Sequence, residues 1–207
     1  MPGLFITLEG PEGAGKTLQA RRLVDALEAG GNRARLTREP GGTRLGEQIR
    51  SIVLSAPQGA AGIGPMADAL LFNAARAQLV AEVIRPALAA GEIVICARFA
   101  DSTLAYQGYG AGAPLTDLKA VETAATGGLR PDLTILLDVP PEVGIARKAE
   151  ASRNRFEAAF DLEFHRRVRD GFLELARQEP DRWRVIDATR DADAVFDEVR
   201  QATAGLV

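Results

Sequence analysis

Short apolar runs alternate with longer segments of helical period along the whole chain, and that alternation leaves few folds open. The runs cover residues 4–9, 33–38, 93–97, 132–138 and 184–187, and most are apolar throughout, as strands buried on both faces are. Between them the spacing predicts helices over 17–29, stopped by Gly30-Gly31-Asn32, and over 45–55, with Leu45, Ile49, Ile52 and Val53 on one face. Further helices are expected over 66–90, with Pro86 marking a kink or an end, and over 115–126, 141–149, 156–178 and 191–202. Five strands with a helix after nearly every one predict a three-layer α/β fold, in which helices cover both faces of a parallel sheet.

Composition narrows the class. At 207 residues the chain fits one domain, residues 1–207, and can bury a core without disulfide or metal staples. With 46% hydrophobic and 26% charged residues it has neither the profile of a disordered segment nor that of a membrane bundle. One cysteine, Cys96, cannot close an intrachain disulfide, and with one histidine, His165, a Cys/His zinc site is excluded. Cys96 lies in an apolar run and reads as a small buried hydrophobe; His165 and Trp183 read as packing residues. The net charge is −3 with no basic block, so a surface for duplex nucleic acid is not expected. Only three of the 25 basic residues are lysines, a skew toward arginine that fits a GC-rich genome better than a function. The first residues lack a secretory leader pattern and no run of 18 apolar residues occurs, so the expectation is a cytoplasmic protein with no membrane partner.

The chemistry begins at Gly10-Pro11-Glu12-Gly13-Ala14-Gly15-Lys16-Thr17, a full match to the phosphate-binding pattern G-x-x-x-x-G-K-[ST]. It follows the first strand and opens the first helix. Backbone N–H groups and the helix N-terminus then converge on an anion, Lys16 reaches the β- and γ-phosphates, and Thr17 offers its hydroxyl to Mg²⁺. Motors, GTPases, transporters and small kinases all use such a loop, so it does not name the phosphate acceptor.

Three further blocks narrow the choice: Arg38-Glu39-Pro40-Gly41-Gly42-Thr43, then Leu70-Leu71-Phe72-Asn73-Ala74-Ala75-Arg76, then Ser102-Thr103-Leu104-Ala105-Tyr106-Gln107-Gly108. Phe72 and Arg76 stand at i and i+4 on one helical face, where a ring and a guanidinium can stack on and hydrogen-bond a planar base. In this order, and over nearly the whole chain, the blocks resemble those of bacterial thymidylate kinases. The resemblance implies a P-loop nucleoside-monophosphate kinase fold with a five-stranded parallel sheet and a mobile lid. It also implies ATP and Mg²⁺ as cofactors, dTMP as acceptor, dTDP as product and a homodimer.

Carried over by position, the resemblance implies that Phe72 stacks on thymine, Arg76 donates to a thymine carbonyl and Gln107, with Ser102 nearby, meets the other polar edge of the base. Tyr106 packs against the sugar where a 2′-hydroxyl would crowd it. Glu12 faces the 3′-hydroxyl, Arg50 and Arg98 hold the dTMP phosphate, and Pro40 belongs to the same pocket. Some members carry an arginine at the position of Gly13; in those with glycine the missing charge comes from the lid. Here the lid is expected at about 147–157, with Arg155 and then Arg153 as its phosphate-directed arginines and Arg147 flanking the adenine.

One position departs from the family pattern. Where Asp-Arg is usual after the third strand, this chain has Ala97-Arg98. The usual aspartate lies near Mg²⁺ and the phosphates, so Ala97 is expected to weaken Mg²⁺-dependent turnover without abolishing nucleotide binding. Asp101 and Asp138 are the acidic groups expected to compensate. The same departure leaves a second reading open, a nucleotide-binding protein of kinase ancestry with weak or lost turnover. A kinase for another small nucleotide is a third.

Overall fold

The computed structural model describes residues 3–55, 62–147 and 161–206. Five strands form one parallel sheet: β1 (Leu4–Glu9), β2 (Ala34–Arg38), β3 (Ile93–Ala97), β4 (Leu133–Asp138) and β5 (Trp183–Asp187), in the spatial order β2-β3-β1-β4-β5. β1 therefore lies between β3 and β4, and the chain leaves its C-terminal end at the point where strand order reverses. Ligands of open α/β sheets gather in the crevice at that point.

Helices pack on both faces because the strands alternate two apolar sets. On one face Ile6, Leu8, Ile95 and Ile135 meet Leu23 and Leu27 of α1 (Lys16–Ala29). The same cluster takes in Val195 and Val199 of the last helix, Ala192–Thr203. On the other face Phe5, Val94 and Cys96 meet Leu79, Ile84 and Phe99, and Leu136 and Trp183 meet Tyr106, Phe164 and Phe172. Between α1 and the third strand lie α2 (Arg44–Ser55), α3 (Pro65–Leu79) and α4 (Arg85–Ala89). After β3 come α5 (Ala100–Thr103) and α6 (Leu115–Thr126), after β4 α7 (Pro141–Ala146) and α8 (Leu162–Gln178), and after β5 α9 (Ala192–Thr203).

The expected strand positions hold to within a residue. The long helix expected over 66–90 divides at a five-residue π-helical turn, Val80–Ile84, which passes into α4 at Pro86. Proline has no N–H for the α-helical ladder and its ring crowds the preceding turn, so a widened turn ahead of it absorbs both defects. A second π-helical segment, Leu104–Gly110, continues α5 and was not legible, since its glycines and short length carry no periodic signal. α8 starts at Leu162, where the Asp161 carboxylate caps the helix by accepting from the Phe164 N–H at 2.8 Å; residues 156–160 of the expected helix lie outside the described residues. Among the described residues no helix is long and apolar enough to cross a membrane.

Candidate active site

The loop between β1 and α1 forms as its sequence predicts. Gly15 takes a left-handed conformation just before Lys16, so α1 presents its N-terminus to the loop. Lys16 Nζ donates to the carbonyls of Gly10 at 2.9 Å and Pro11 at 2.6 Å, which holds the ammonium over the loop. Glu12, Gly13, Gly15, Lys16 and Thr17 line a cleft of about 370 Å³, while Ala14 turns into the core. Gly13 packs directly on the backbone of Gly144 in α7, so no side chain fits there.

The same cleft gathers Pro40, Arg50, Phe72, Arg76, Arg98, Ser102, Tyr106, Gln107 and Arg147. All of these site residues were expected from the sequence, and they come from four separate stretches of chain. Arg153 and Arg155 lie outside the described residues, as does most of the expected lid. Arg147 donates to the carbonyls of Ala188 and Thr189, at 2.7 and 3.0 Å, which ties the end of α7 to the loop after β5. That loop, Gly13, Leu18, Gln19 and Arg147 line a second, open pocket of about 320 Å³ that adjoins the first at Gly13, Gly15, Leu18 and Arg147.

Arg76 is 1% exposed and fixed from several sides. Its Nε and Nη2 donate to Glu39 Oε2 at 2.9 and 2.7 Å, Nη1 donates to Asn73 Oδ1, and Nη2 also reaches Phe99 O and Thr103 Oγ1. Burial pushes the Glu39 carboxyl up to about 7, against the pull of Arg76. Gln107 Nε2 donates to Asp68 at 2.9 Å, and Arg50 donates to Pro40 O at 2.9 Å.

Arg98 centres the other end of the cleft. Its φ is +71°, the one positive value among non-glycine residues described, and costs roughly 1–2 kcal/mol for an L side chain. Nη2 donates to Glu12 Oε1 at 2.5 Å and to Tyr106 OH at 3.0 Å, and Tyr106 OH donates to Glu12 at 3.0 Å. Burial opposes the charge on Arg98, but Tyr106, Glu12 and Glu9 outweigh it and raise the proton affinity. Burial pushes the Tyr106 hydroxyl well up, so it stays protonated.

Ser102 lines the cleft and is also tied to the residues beneath it. Its hydroxyl donates to Glu9 Oε2 at 2.6 Å and accepts from Arg98 Nη1 at 3.2 Å, so it braces the arginine. The hydroxyl beside Arg76 at the base end is that of Thr103. Thr103, Glu39 and Glu9 are the residues that sequence reasoning passed over. Glu39 stood inside a recognised block, and Glu9 was visible as a carboxylate closing a strand otherwise buried.

The expectation that Asp101 and Asp138 compensate for Ala97 does not survive. Asp101 is clamped by Arg182 through two bonds of 2.8 and 3.0 Å, and Asp138 by Arg169 through two of 2.7 and 2.8 Å. Each carboxylate has both oxygens committed to an arginine, and neither lines the cleft.

Known proteins share this sequence and fold. The thymidylate kinase family matches residues 8–199. The chain belongs to the thymidylate kinase family. The thymidylate kinase of Deinococcus radiodurans is 53% identical over 203 residues, covering 98% of this chain and 97% of that one. That of Roseiflexus sp. strain RS-1 is 48% identical over 209 residues, covering 95% and 91%. The crystal structure of thymidylate kinase from Ehrlichia chaffeensis superposes with a TM-score of 0.80 at 35% identity, covering 99% of both chains. The fold is thus that of the P-loop nucleoside-monophosphate kinases, and the chain is a phosphotransferase. A nucleotide-binding protein without turnover is not favoured by these relatives.

Proposed function

We propose that the chain phosphorylates dTMP by direct in-line transfer of the γ-phosphate of ATP, with acceptor and donor meeting over the phosphate loop. Phosphorylation of dTMP to dTDP is the reaction of the thymidylate kinase family and of this chain. The observation that carries the assignment of residues is that one cleft joins the loop of Lys16 to the wall of Phe72, Arg76 and Thr103.

At the base end Phe72 supplies a ring to stack on thymine, and Arg76, already oriented by Glu39 and Asn73, supplies a donor to a base carbonyl. Gln107 and Thr103 face the same wall, and Tyr106 packs where the sugar passes. Arg50 and Arg98 hold the acceptor phosphate, and Glu12, bonded to both Arg98 and Tyr106, sits beside the sugar hydroxyl. At the donor end the loop N–H groups and Lys16 hold the ATP phosphates, and the cavity by Gln19 and Arg147 takes the adenosine.

An oxygen of the dTMP phosphate attacks the γ-phosphorus, the bond to the β–γ bridging oxygen breaks, and ADP leaves. No enzyme nucleophile takes part; the protein places the reactants and offsets charge. Thr17, exposed on the cleft, would hold Mg²⁺, which when bound neutralises phosphate charge. Among the described residues no group of three or more His, Cys, Asp or Glu side chains could hold a metal, which fits a Mg²⁺ carried largely by phosphate oxygens and water. Lid arginines Arg153 and Arg155 complete the charge set in this proposal.

The protein works as a cytoplasmic homodimer on this reading, and Leu45, Ile52 and Leu70, exposed on the packed helices α2 and α3, offer apolar surface for the contact. An acceptor panel of dTMP, dUMP, UMP, CMP and AMP with ATP·Mg²⁺ tests the assignment. dTMP should lead, with dUMP behind it by the roughly 10- to 200-fold that one methyl group can give. A lead for AMP or CMP would overturn it.

A further inference from the structure

Glu9 is the last residue of β1, fully buried, and is not among the groups that reach substrate in the reading above. Each oxygen of its carboxylate has its own partner. Oε1 accepts the N–H of Phe99 at 2.7 Å, and Oε2 accepts the hydroxyl of Ser102 at 2.6 Å. Both partners belong to Arg98. Phe99 is the peptide that follows its left-handed backbone, and Ser102 Oγ accepts from its Nη1 at 3.2 Å. The N–H of Arg98 itself donates to Leu8 O at 3.0 Å, so the end of β1 also grips the strained turn from its other side.

We propose that Glu9 is a positioning residue for the acceptor phosphate, one carboxylate fixing both the backbone and the guanidinium of Arg98. The proposal rests on the reading of Arg98 as a holder of that phosphate. A left-handed arginine returns readily to ordinary backbone unless its neighbours prevent it, and that would swing the guanidinium away from the cleft. Two hydrogen bonds from one buried side chain hold both groups, because low polarity strengthens each bond and leaving either buried group without its partner is costly. Glu12 and Tyr106 hold only Nη2; apart from Ser102, Nη1 has only Gly10 O at 3.4 Å, and apart from Phe99 the turn is tied to β1 by the single bond from the Arg98 N–H to Leu8 O. The carboxylate also faces Asp101, whose negative charge is taken up by Arg182, and the buried Cys96 of β3.

The test is the steady-state kinetics of Glu9→Gln and Ser102→Ala with dTMP and ATP varied in turn, and with thymidine as a competitive inhibitor. Thymidine carries no phosphate for Arg98 to hold. Glu9→Gln should raise KM for dTMP about tenfold and Ser102→Ala about threefold, while KM for ATP and the inhibition constant of thymidine stay within twofold. The effects of the two should be less than additive in the double variant, since they lie on one chain of bonds. Arg98→Ala is measured alongside. If it leaves KM for dTMP unchanged, the reading of Arg98 fails. If it raises KM while Glu9→Gln and Ser102→Ala do not, or if thymidine weakens in step with dTMP, the proposal for Glu9 is overturned. Should Glu9→Gln not fold, Ser102→Ala decides by the same split, because it cuts the link to the guanidinium and leaves the carboxylate in place.

Discussion

Gly13 of the phosphate loop and Gly144 of α7 lie backbone against backbone. A Cβ on Gly13 would fall 1.9 Å from the Gly144 carbonyl oxygen, and one on Gly144 would fall 2.1 Å from the carbonyl oxygen of Glu12. Gly13 also has φ +71°, a conformation side chains resist. The contact explains why the arginine that some thymidylate kinases carry in this loop has no place here, and it couples the loop to the helix that leads toward residues 147–157. Gly144→Ala, with ordinary backbone but no room, should lower stability by about 2 to 4 kcal/mol or displace the loop. Urea unfolding with ATP binding checks it; a variant with unchanged stability and ATP affinity would contradict the contact.

Burial first, and then the charge of Asp101, push the Glu9 carboxyl up to about 7 from an ordinary 4.5, despite the bonds from Ser102 and Phe99. The folded protein therefore binds this proton more tightly than the unfolded chain. Stability carried by that difference is complete below pH 4.5 and is lost as pH rises toward 7. Glu9→Gln has no such proton. Relative to wild type it should gain up to about 3 kcal/mol between pH 4.5 and pH 7.5, whatever its absolute stability. Urea unfolding of both proteins at the two pH values measures the difference, and a pH-independent gap would rule out the raised carboxyl.

Asp101 and Arg182 form a buried, two-bond pair, with Arg182 Nη1 also donating to Thr134 Oγ1 at 2.6 Å. Removing Asp101 leaves Arg182 with Glu179, at 3.1 Å, as its remaining carboxylate, so the cost falls below the roughly 3 to 5 kcal/mol of a fully broken buried pair, at about 1 to 3 kcal/mol. Asp101→Asn should therefore lower the urea midpoint while the Mg²⁺ concentration for half-maximal activity stays as it was. A shift in that Mg²⁺ dependence with stability intact would return Asp101 to the metal site.

Much of this was legible because the signals were local. Glycines and a lysine at fixed spacing specify a loop that nothing else builds, and apolar runs buried on both faces read as strands without reference to partners. The site residues were legible as positions but not as bonds. Thr103 passed unnoticed beside Ser102, because its bond to Arg76 depends on the left-handed Arg98 and on the winding that follows, neither of which has a sequence signal. Asp101 and Asp138 looked available for a metal because their partners, Arg182 and Arg169, lie 81 and 31 residues away in sequence. No periodicity reports such pairings.

Those pairings sharpen the question of Ala97. It lines the cleft at the end of β3, next to Arg98, and no carboxylate among Asp101, Asp138 and Glu9 is at liberty to act in place of the aspartate usual in the family. Glu12 is bonded to Arg98 and Tyr106. Under the proposed mechanism the cation would be held mostly by the nucleotide, a weaker hold than one with a protein carboxylate close by. Ala97→Asp should lower the Mg²⁺ concentration for half-maximal activity about three- to tenfold, the effect of one partly solvated charge, with little change in KM for dTMP. A Mg²⁺ titration at fixed ATP and dTMP decides it. An identical curve for both proteins would mean that the aspartate has no part in holding the cation here, and that Lys16, the loop N–H groups and Thr17 suffice.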